Sequence, residues 1–158
     1  MDNNVYLIDD HFKALVSRLK SERKKIIFTN GVFDIIHRGH IHYLLAAKTY
    51  GDVLIVGLNS DSSVKVIKGK DRPINKEKDR AFVLANLKPV DYVVIFNEDT
   101  PLSLINIVIP DVLVKGGDWN PESIVGADIV NKNGGRVISL EYIENYSTTN
   151  IVRKITEN

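Results

Sequence analysis

Cysteine is absent from this 158-residue chain, which excludes a disulfide framework, a thiolate metal site and a cysteine nucleophile. No apolar run approaches the roughly 18 residues expected of a membrane span. The opening residues, M-D-N-N-V-Y-L-I-D-D, lack the basic region and long apolar segment of a secretory signal. A cytoplasmic location is therefore expected. Neither sign of charge is in excess, since 21 Lys and Arg face 20 Asp and Glu for a formal net charge of +1. No global field draws the chain to nucleic acid or to an anionic membrane, so any attraction for phosphate has to be local. Neither G-x-x-x-x-G-K-S/T nor G-x-G-x-x-G occurs, so P-loop and dinucleotide-binding readings have no support.

What is present is an ordinary globular composition, 44% apolar and 26% charged, in a length that suits one domain over residues 1–158. Short Val/Ile/Leu-rich runs alternate with helical patterns. Strands are predicted at Lys25–Thr29, Val53–Leu58, Asp91–Phe96, Asp111–Val114 and Arg136–Leu140. Helices are predicted near Gly39–Thr49, Ser60–Ile67, Lys76–Leu87, Pro101–Val108, Pro121–Asn131 and from Thr148 onward. The strands are near-continuous apolar runs, as in parallel sheets covered on both faces. The expected fold is α/β, a single doubly wound five-stranded parallel sheet with helices on both faces. An amphipathic helix within residues 1–23 (Phe12, Leu15, Val16, Leu19) leads into a core over 24–158. Ligands in such folds bind beyond the carboxyl ends of the strands, where strand order switches.

The chemistry-bearing residues cluster after predicted strands. Following Ile26-Ile27-Phe28, residues 31–40 read G-V-F-D-I-I-H-R-G-H, with His37 and His40 where a strand turns into a helix. A helix N-terminus presents unpaired N–H groups and positive dipole charge, and imidazoles there can donate to phosphate oxygens. After the second strand come Asn59-Ser60-Asp61 and then Lys68, Lys70 and Arg72 around Gly69 and Pro73. Asn59 or Ser60 suits a helix cap, and the basic loop could close over a triphosphate or simply be solvated. Arg80, inside the next helix, suits phosphate through its planar fork, or pairs with Glu77 at i, i+3 spacing. After the fourth strand, Lys115-Gly116-Gly117-Asp118-Trp119 permits close backbone approach to a ligand, with a plain turn as the competing account. Trp119 could stack on a base, though packing is the commoner use. Ser147-Thr148-Thr149-Asn150 reads as a capped helix start and as a second phosphate cradle.

From about Lys24 to Ile155 these pieces resemble the H-x-G-H nucleotidyltransferases of the cytidylyltransferase-like family. More narrowly they resemble the D-glycero-β-D-manno-heptose 1-phosphate adenylyltransferases. The matching stretches are 28–40, 51–61, K-G-K-D-R-P (68–73), L-V-K-G-G-D (113–118) and S-T-T-N-I (147–151). Val32 stands where relatives often have Cys or Thr. The resemblance implies catalytic roles for His37, His40 and Lys68. It implies nucleotide contacts from Asn30, Gly31, Phe33, Asp34, Gly39, Lys115, Gly116, Asp118, Ser147, Thr148 and Thr149. Phosphate contacts from Asp61, Arg72 and Arg80 follow in the same way. It further implies ATP with Mg²⁺, a sugar 1-phosphate acceptor, no protein-built metal site and a homodimer.

Glycerol-3-phosphate cytidylyltransferases share the first motif and are the main alternative. They carry an arginine shortly before the S-T-T segment, where this chain has Tyr142-Ile143-Glu144-Asn145-Tyr146. Heptose adenylyltransferases are often fused to a sugar kinase, and the length here leads to the expectation of a stand-alone transferase. A non-catalytic nucleotide-binding protein of the same fold is a further alternative, against which intact Asp34, His37 and His40 speak.

Overall fold

The computed structural model of the protein describes residues 4–141 and 146–157. Six strands, β1 (Val5–Leu7), β2 (Ile26–Gly31), β3 (Val53–Asn59), β4 (Tyr92–Phe96), β5 (Val112–Gly116) and β6 (Arg136–Leu140), form one sheet. Their order is β1-β4-β3-β2-β5-β6, and every pairing is parallel. Five of the six match the predicted strands to within two residues at either end. The expected five-stranded sheet is corrected to six by β1, which pairs Val5, Tyr6 and Leu7 with Val93, Val94 and Ile95. Three residues carry no usable periodicity. This strand exists because Tyr6 packs against Phe12 and Tyr92 while the backbone completes the edge of β4.

Helices cover both faces, as anticipated. On one face α1 (Asp10–Ser21), α5 (Leu102–Val108) and α6 (Ala127–Lys132) bury Phe12, Leu104 and Val130 against Ile26 and Phe28 of β2. On the other, α2 (Arg38–Lys48) and α4 (Glu77–Ala85) bury Leu44 and Leu84 against Ile27, Leu54 and Val56. Successive residues of β2 thus serve opposite cores, which accounts for its unbroken apolar run. The leader helix α1 begins where Asp9 accepts the Phe12 amide at 2.9 Å. Two further helices, α3 (Asp61–Lys68) and α7 (Thr148–Thr156), complete the fold. Among the described residues no helix is long and apolar enough to cross a membrane.

The helix expected over 121–131 is divided into a 3₁₀ turn at Pro121–Ser123 and α6. Gly126 separates them with φ 85°, and a Cβ there would meet the Ile105 side chain at 2.7 Å. Close packing against α5 and the left-handed backbone break the helical run that the polar–apolar pattern suggested. The chain leaves β2 in one direction toward β3 and β4, while β5 and β6 lie on the other side. The switch in strand order therefore falls between β2 and β5, and the carboxyl ends of these two strands are where a ligand belongs.

Candidate active site at the carboxyl ends of β2 and β5

A cleft of about 550 Å³ opens at that switch, lined from β2 and its following turn, α2, β5, the loop after α3 and the start of α7. Its wall at α2 follows from local sequence. His37 occupies the N-cap position in extended conformation, and the helix begins at Arg38. The two imidazoles stack with ring centroids 3.9 Å apart, inclined by 25°. His40 Nδ1 accepts the backbone N–H of His37 at 3.4 Å, so the neutral ring carries its proton on Nε2. Burial, helped by the neighbouring His37, depresses the His40 pKa to about 4, and burial also lowers that of His37. Stacked rings in this setting resist double protonation, and the lowered pKa values favour the neutral imidazoles.

The glycine of H-x-G-H has a steric reason. A Cβ at Gly39 would lie 3.0 Å from Cε1 and Nδ1 of His37 and 3.0 Å from Cβ of Tyr146. With glycine here, the His37 ring and Tyr146 both approach the first turn of α2 without having to give way. Nδ1 of His37 is buried there without a hydrogen-bond partner among the described residues. Ser147 caps α7 by accepting the Asn150 amide at 3.0 Å, and Thr148 Oγ1 donates to Ile35 O at 3.4 Å. The N-termini of two helices, α2 and α7, thus both border one cleft, each presenting the positive end of its helix dipole.

Behind His40, Tyr43 anchors α2 to the sheet. Its hydroxyl lies 2.6 Å from Thr29 Oγ1 and donates to Val114 O at 3.1 Å, joining α2 to both β2 and β5. Phe33 takes a left-handed φ of 47° and places its ring 5.3 Å from that of His40. Asp34 is buried, and its carboxylate accepts from Arg72 Nε (2.9 Å) and Nη2 (2.8 Å) and from the amides of Ile74 and Asn75. The basic loop after α3 is thereby fastened to the end of β2, with Lys68 and Arg72 on the cleft lining. Lys115, half-buried at the end of β5, donates to Asn30 Oδ1 at 3.5 Å, and burial lowers its pKa.

Of the residues singled out in the sequence, Asn30, Gly31, Phe33, Asp34, His37, Gly39, His40, Lys68, Arg72, Lys115, Gly116, Ser147, Thr148 and Thr149 line this cleft together. Three do not. Asp118 is exposed beyond the end of β5, outside the lining. Arg80 is 1% exposed and donates to Asn75 O, Val32 O and Asn59 O and to the Asp61 carboxylate at 2.9 Å. A buried guanidinium needs acceptors for its fork. Three carbonyls and Asp61 supply them, so Arg80 and Asp61 hold strand ends rather than reach the cleft. The Glu77 carboxylate caps the Asp61 amide at 2.7 Å instead of pairing with Arg80. Trp119 is about half exposed, and its indole N–H donates to Gly116 O at 3.1 Å.

The lining also includes Asn150, part of the S-T-T-N-I stretch, and Tyr43 and Tyr146, to which the sequence motifs assign no site role. A hydroxyl on the buried face of α2, one turn beyond His40, was the available signal for Tyr43. Residues 142–145, which bear on the glycerol-phosphate alternative, lie outside the described residues.

A strand-turn-helix junction bearing H-x-G-H is a nucleotidyltransferase arrangement, and comparison with known proteins agrees. The family model for cytidylyltransferase-like proteins matches residues 28–154. The chain belongs to this family, a class of nucleotidyltransferases. Among its relatives are the bifunctional protein HldE of Geobacter metallireducens, 53% identical over 146 residues, and that of Nitratiruptor sp., 56% identical over 142. These alignments cover 92% and 89% of this chain but 30% of each relative. The chain thus spans about a third of the length of the curated relatives it matches. The crystal structure of a lipopolysaccharide core biosynthesis protein from Thermoplasma volcanium superposes with a TM-score of 0.61 at 32% identity. That match covers 78% of this chain and 99% of the archaeal one.

Proposed function

We propose that this protein transfers AMP from ATP to D-glycero-β-D-manno-heptose 1-phosphate, releasing pyrophosphate and forming ADP-heptose. The observation that carries the chemistry is the pair of neutral, stacked imidazoles at the start of α2, beside the N-terminus of α7. The sugar choice rests on the K-G-K-D-R-P, V-K-G-G-D and S-T-T-N-I stretches and on relatives named for bifunctional HldE and for lipopolysaccharide core biosynthesis.

An oxygen of the acceptor phosphate attacks the α-phosphorus, and the bond from that phosphorus to the bridging β oxygen breaks. Pyrophosphate leaves with the electron pair. The nucleophile is already anionic, so the protein's task is to align the reactants and stabilise charge on the leaving group. His37 and His40 donate to phosphate oxygens, and the N–H groups of α2 and α7 add to them. Lys68, at the end of α3, and Arg72, on the loop after it, face the triphosphate.

Among the described residues, Asp34 is the one carboxylate on the cleft lining, and its oxygens are already taken by the 72–75 loop. Such a donor set fits Mg²⁺ that would arrive with the nucleotide, where it would supply neutralisation of triphosphate charge.

Pyrophosphate release is the test, measured with ATP or CTP against heptose 1-phosphate and glycerol 3-phosphate, with Mg²⁺ present. Turnover with ATP and heptose 1-phosphate is expected. A preference for CTP and glycerol 3-phosphate would establish the cytidylyltransferase instead, and no release with any pair would point to a non-catalytic binder. Light scattering of the same sample checks the expected homodimer.

A further inference from the structure

Lys115 is a half-buried cation without an acidic partner among the described residues, which is an unusual use of lysine. Burying an ammonium costs solvation, and proteins offset that cost with an opposite charge. Here the hydrogen-bonded neighbour is neutral, the Asn30 amide oxygen at 3.5 Å. Carrying the β2–β5 register on from Phe28 opposite Leu113 brings Asn30 level with Lys115 at the two strand ends. Both residues line the cleft. Asn30 accepts one ammonium N–H, which leaves two of the three for a ligand.

The other cations of the cleft differ. Arg72 spends Nε and Nη2 on Asp34, and Lys68 is exposed at the last residue of α3. His37 and His40 stack and share a hydrogen bond at the start of α2, the Tyr146 ring lies 6.3 Å from that of His37, and Lys115 bonds to none of these residues. The cleft therefore holds two separate anion-attracting features. One is the pair of helix N-termini with neutral donors, and the other is a full charge awaiting a counter-ion at the β2 and β5 ends. A nucleotidyl transfer to a phosphate needs two such places, because the donor triphosphate and the acceptor phosphate are both anions.

Resting on the function proposed above, we infer that Lys115 and Asn30 form the acceptor subsite and hold the sugar's phosphate group for attack. The lowered pKa of Lys115 fits this role, since an arriving phosphate dianion restores the charge that burial disfavours.

Lys115→Met keeps the stem and removes the charge, and Asn30→Asp supplies an internal counter-ion that occupies the ammonium. Steady-state kinetics and calorimetric ATP binding with Mg²⁺ separate the possibilities. In both variants the Michaelis constant for heptose 1-phosphate is expected to rise about tenfold or more, while ATP affinity stays within about twofold. Lys115→Arg is expected to recover part of the loss. Weakened ATP binding with an unchanged acceptor constant would assign Lys115 to the nucleotide and overturn the inference, as would unchanged values for both.

A second measurement separates this outcome from failure of the functional reading. Wild-type protein that turns over no heptose 1-phosphate refutes that reading alone. Inorganic phosphate titrated into protein saturated with α,β-methylene-ATP then decides the subsite. Binding that weakens about tenfold in Lys115→Met supports it, and equal binding in both proteins overturns it.

Discussion

Asp34 and Arg72 are joined by two bonds, at 2.9 Å to Nε and 2.8 Å to Nη2, across 38 residues of sequence. The carboxylate also receives the amides of Ile74 and Asn75, so one acidic side chain fastens the basic loop to the end of β2. Asp34 therefore acts on the site through the loop. Breaking a buried ion pair from one side costs about 3–5 kcal/mol, and the Asp34 side chain is almost fully buried here. Asp34→Ala is expected to lose about 3 kcal/mol in urea denaturation and to become sensitive to limited proteolysis between Lys68 and Lys76. A variant with wild-type stability and an intact loop would refute this role.

In the proposed function the histidine pair carries the transfer chemistry. Removing one well-placed charge-stabilising donor costs on the order of 100-fold in turnover. His37→Ala and His40→Ala are each expected to show that loss at saturating ATP, with small changes in ATP affinity. Near-normal turnover in both would remove them from the mechanism.

Gly39→Ala tests the steric reason for the motif's glycine. Alanine raises helix propensity by about 1 kcal/mol, so thermal stability should hold or rise slightly. The added methyl lies 3.0 Å from the His37 ring, which has to move by a few tenths of an ångström. Small misplacements of this kind are expensive in transfer reactions, and a loss of about tenfold in turnover is expected. The combination of unchanged melting temperature and lowered turnover is the signature to look for.

Protonation of His40 links stability to pH. An unperturbed histidine titrates at 6.5, whereas the folded chain holds this one at about 4. Between these values the unfolded chain binds the proton first, so the His40 contribution to stability falls as pH drops through that window. Above about pH 7 both states are neutral and the contribution is flat. Denaturation midpoints of wild type and His40→Asn, compared from about pH 8 to about pH 4, should converge as the pH falls. A difference independent of pH would show that His40 is not held neutral.

Arg80 separates structural from ligand-binding arginine. With its guanidinium bonded to three carbonyls and Asp61, Arg80→Ala is expected to cost at least about 3 kcal/mol. The Michaelis constant for ATP, measured well below the melting temperature, should change little. A large rise in that constant at full stability would return Arg80 to the phosphate.

Much of this protein is written locally in its chain. The unbroken apolar strands encode a sheet covered on both faces, because a strand buried on two sides has no polar face to show. H-x-G-H after a strand encodes two imidazoles at a helix start, since the histidines, the glycine that makes room for one of them and the helix start all lie within four residues. The Ser147 cap is local for the same reason. Decisions that depended on distant partners were made only in three dimensions. Arg80 reads as a phosphate ligand until Val32, Asn59 and Asp61 surround it. Asp34 reads as a site residue and does line the cleft, but its bonds to a loop about 40 residues away appear only in the fold. The three residues of β1 become a strand only beside β4, and the run after Pro121 divides only because Gly126 meets Ile105. In each case the deciding energy is burial or a hydrogen bond supplied from across the fold, which no short window of sequence contains.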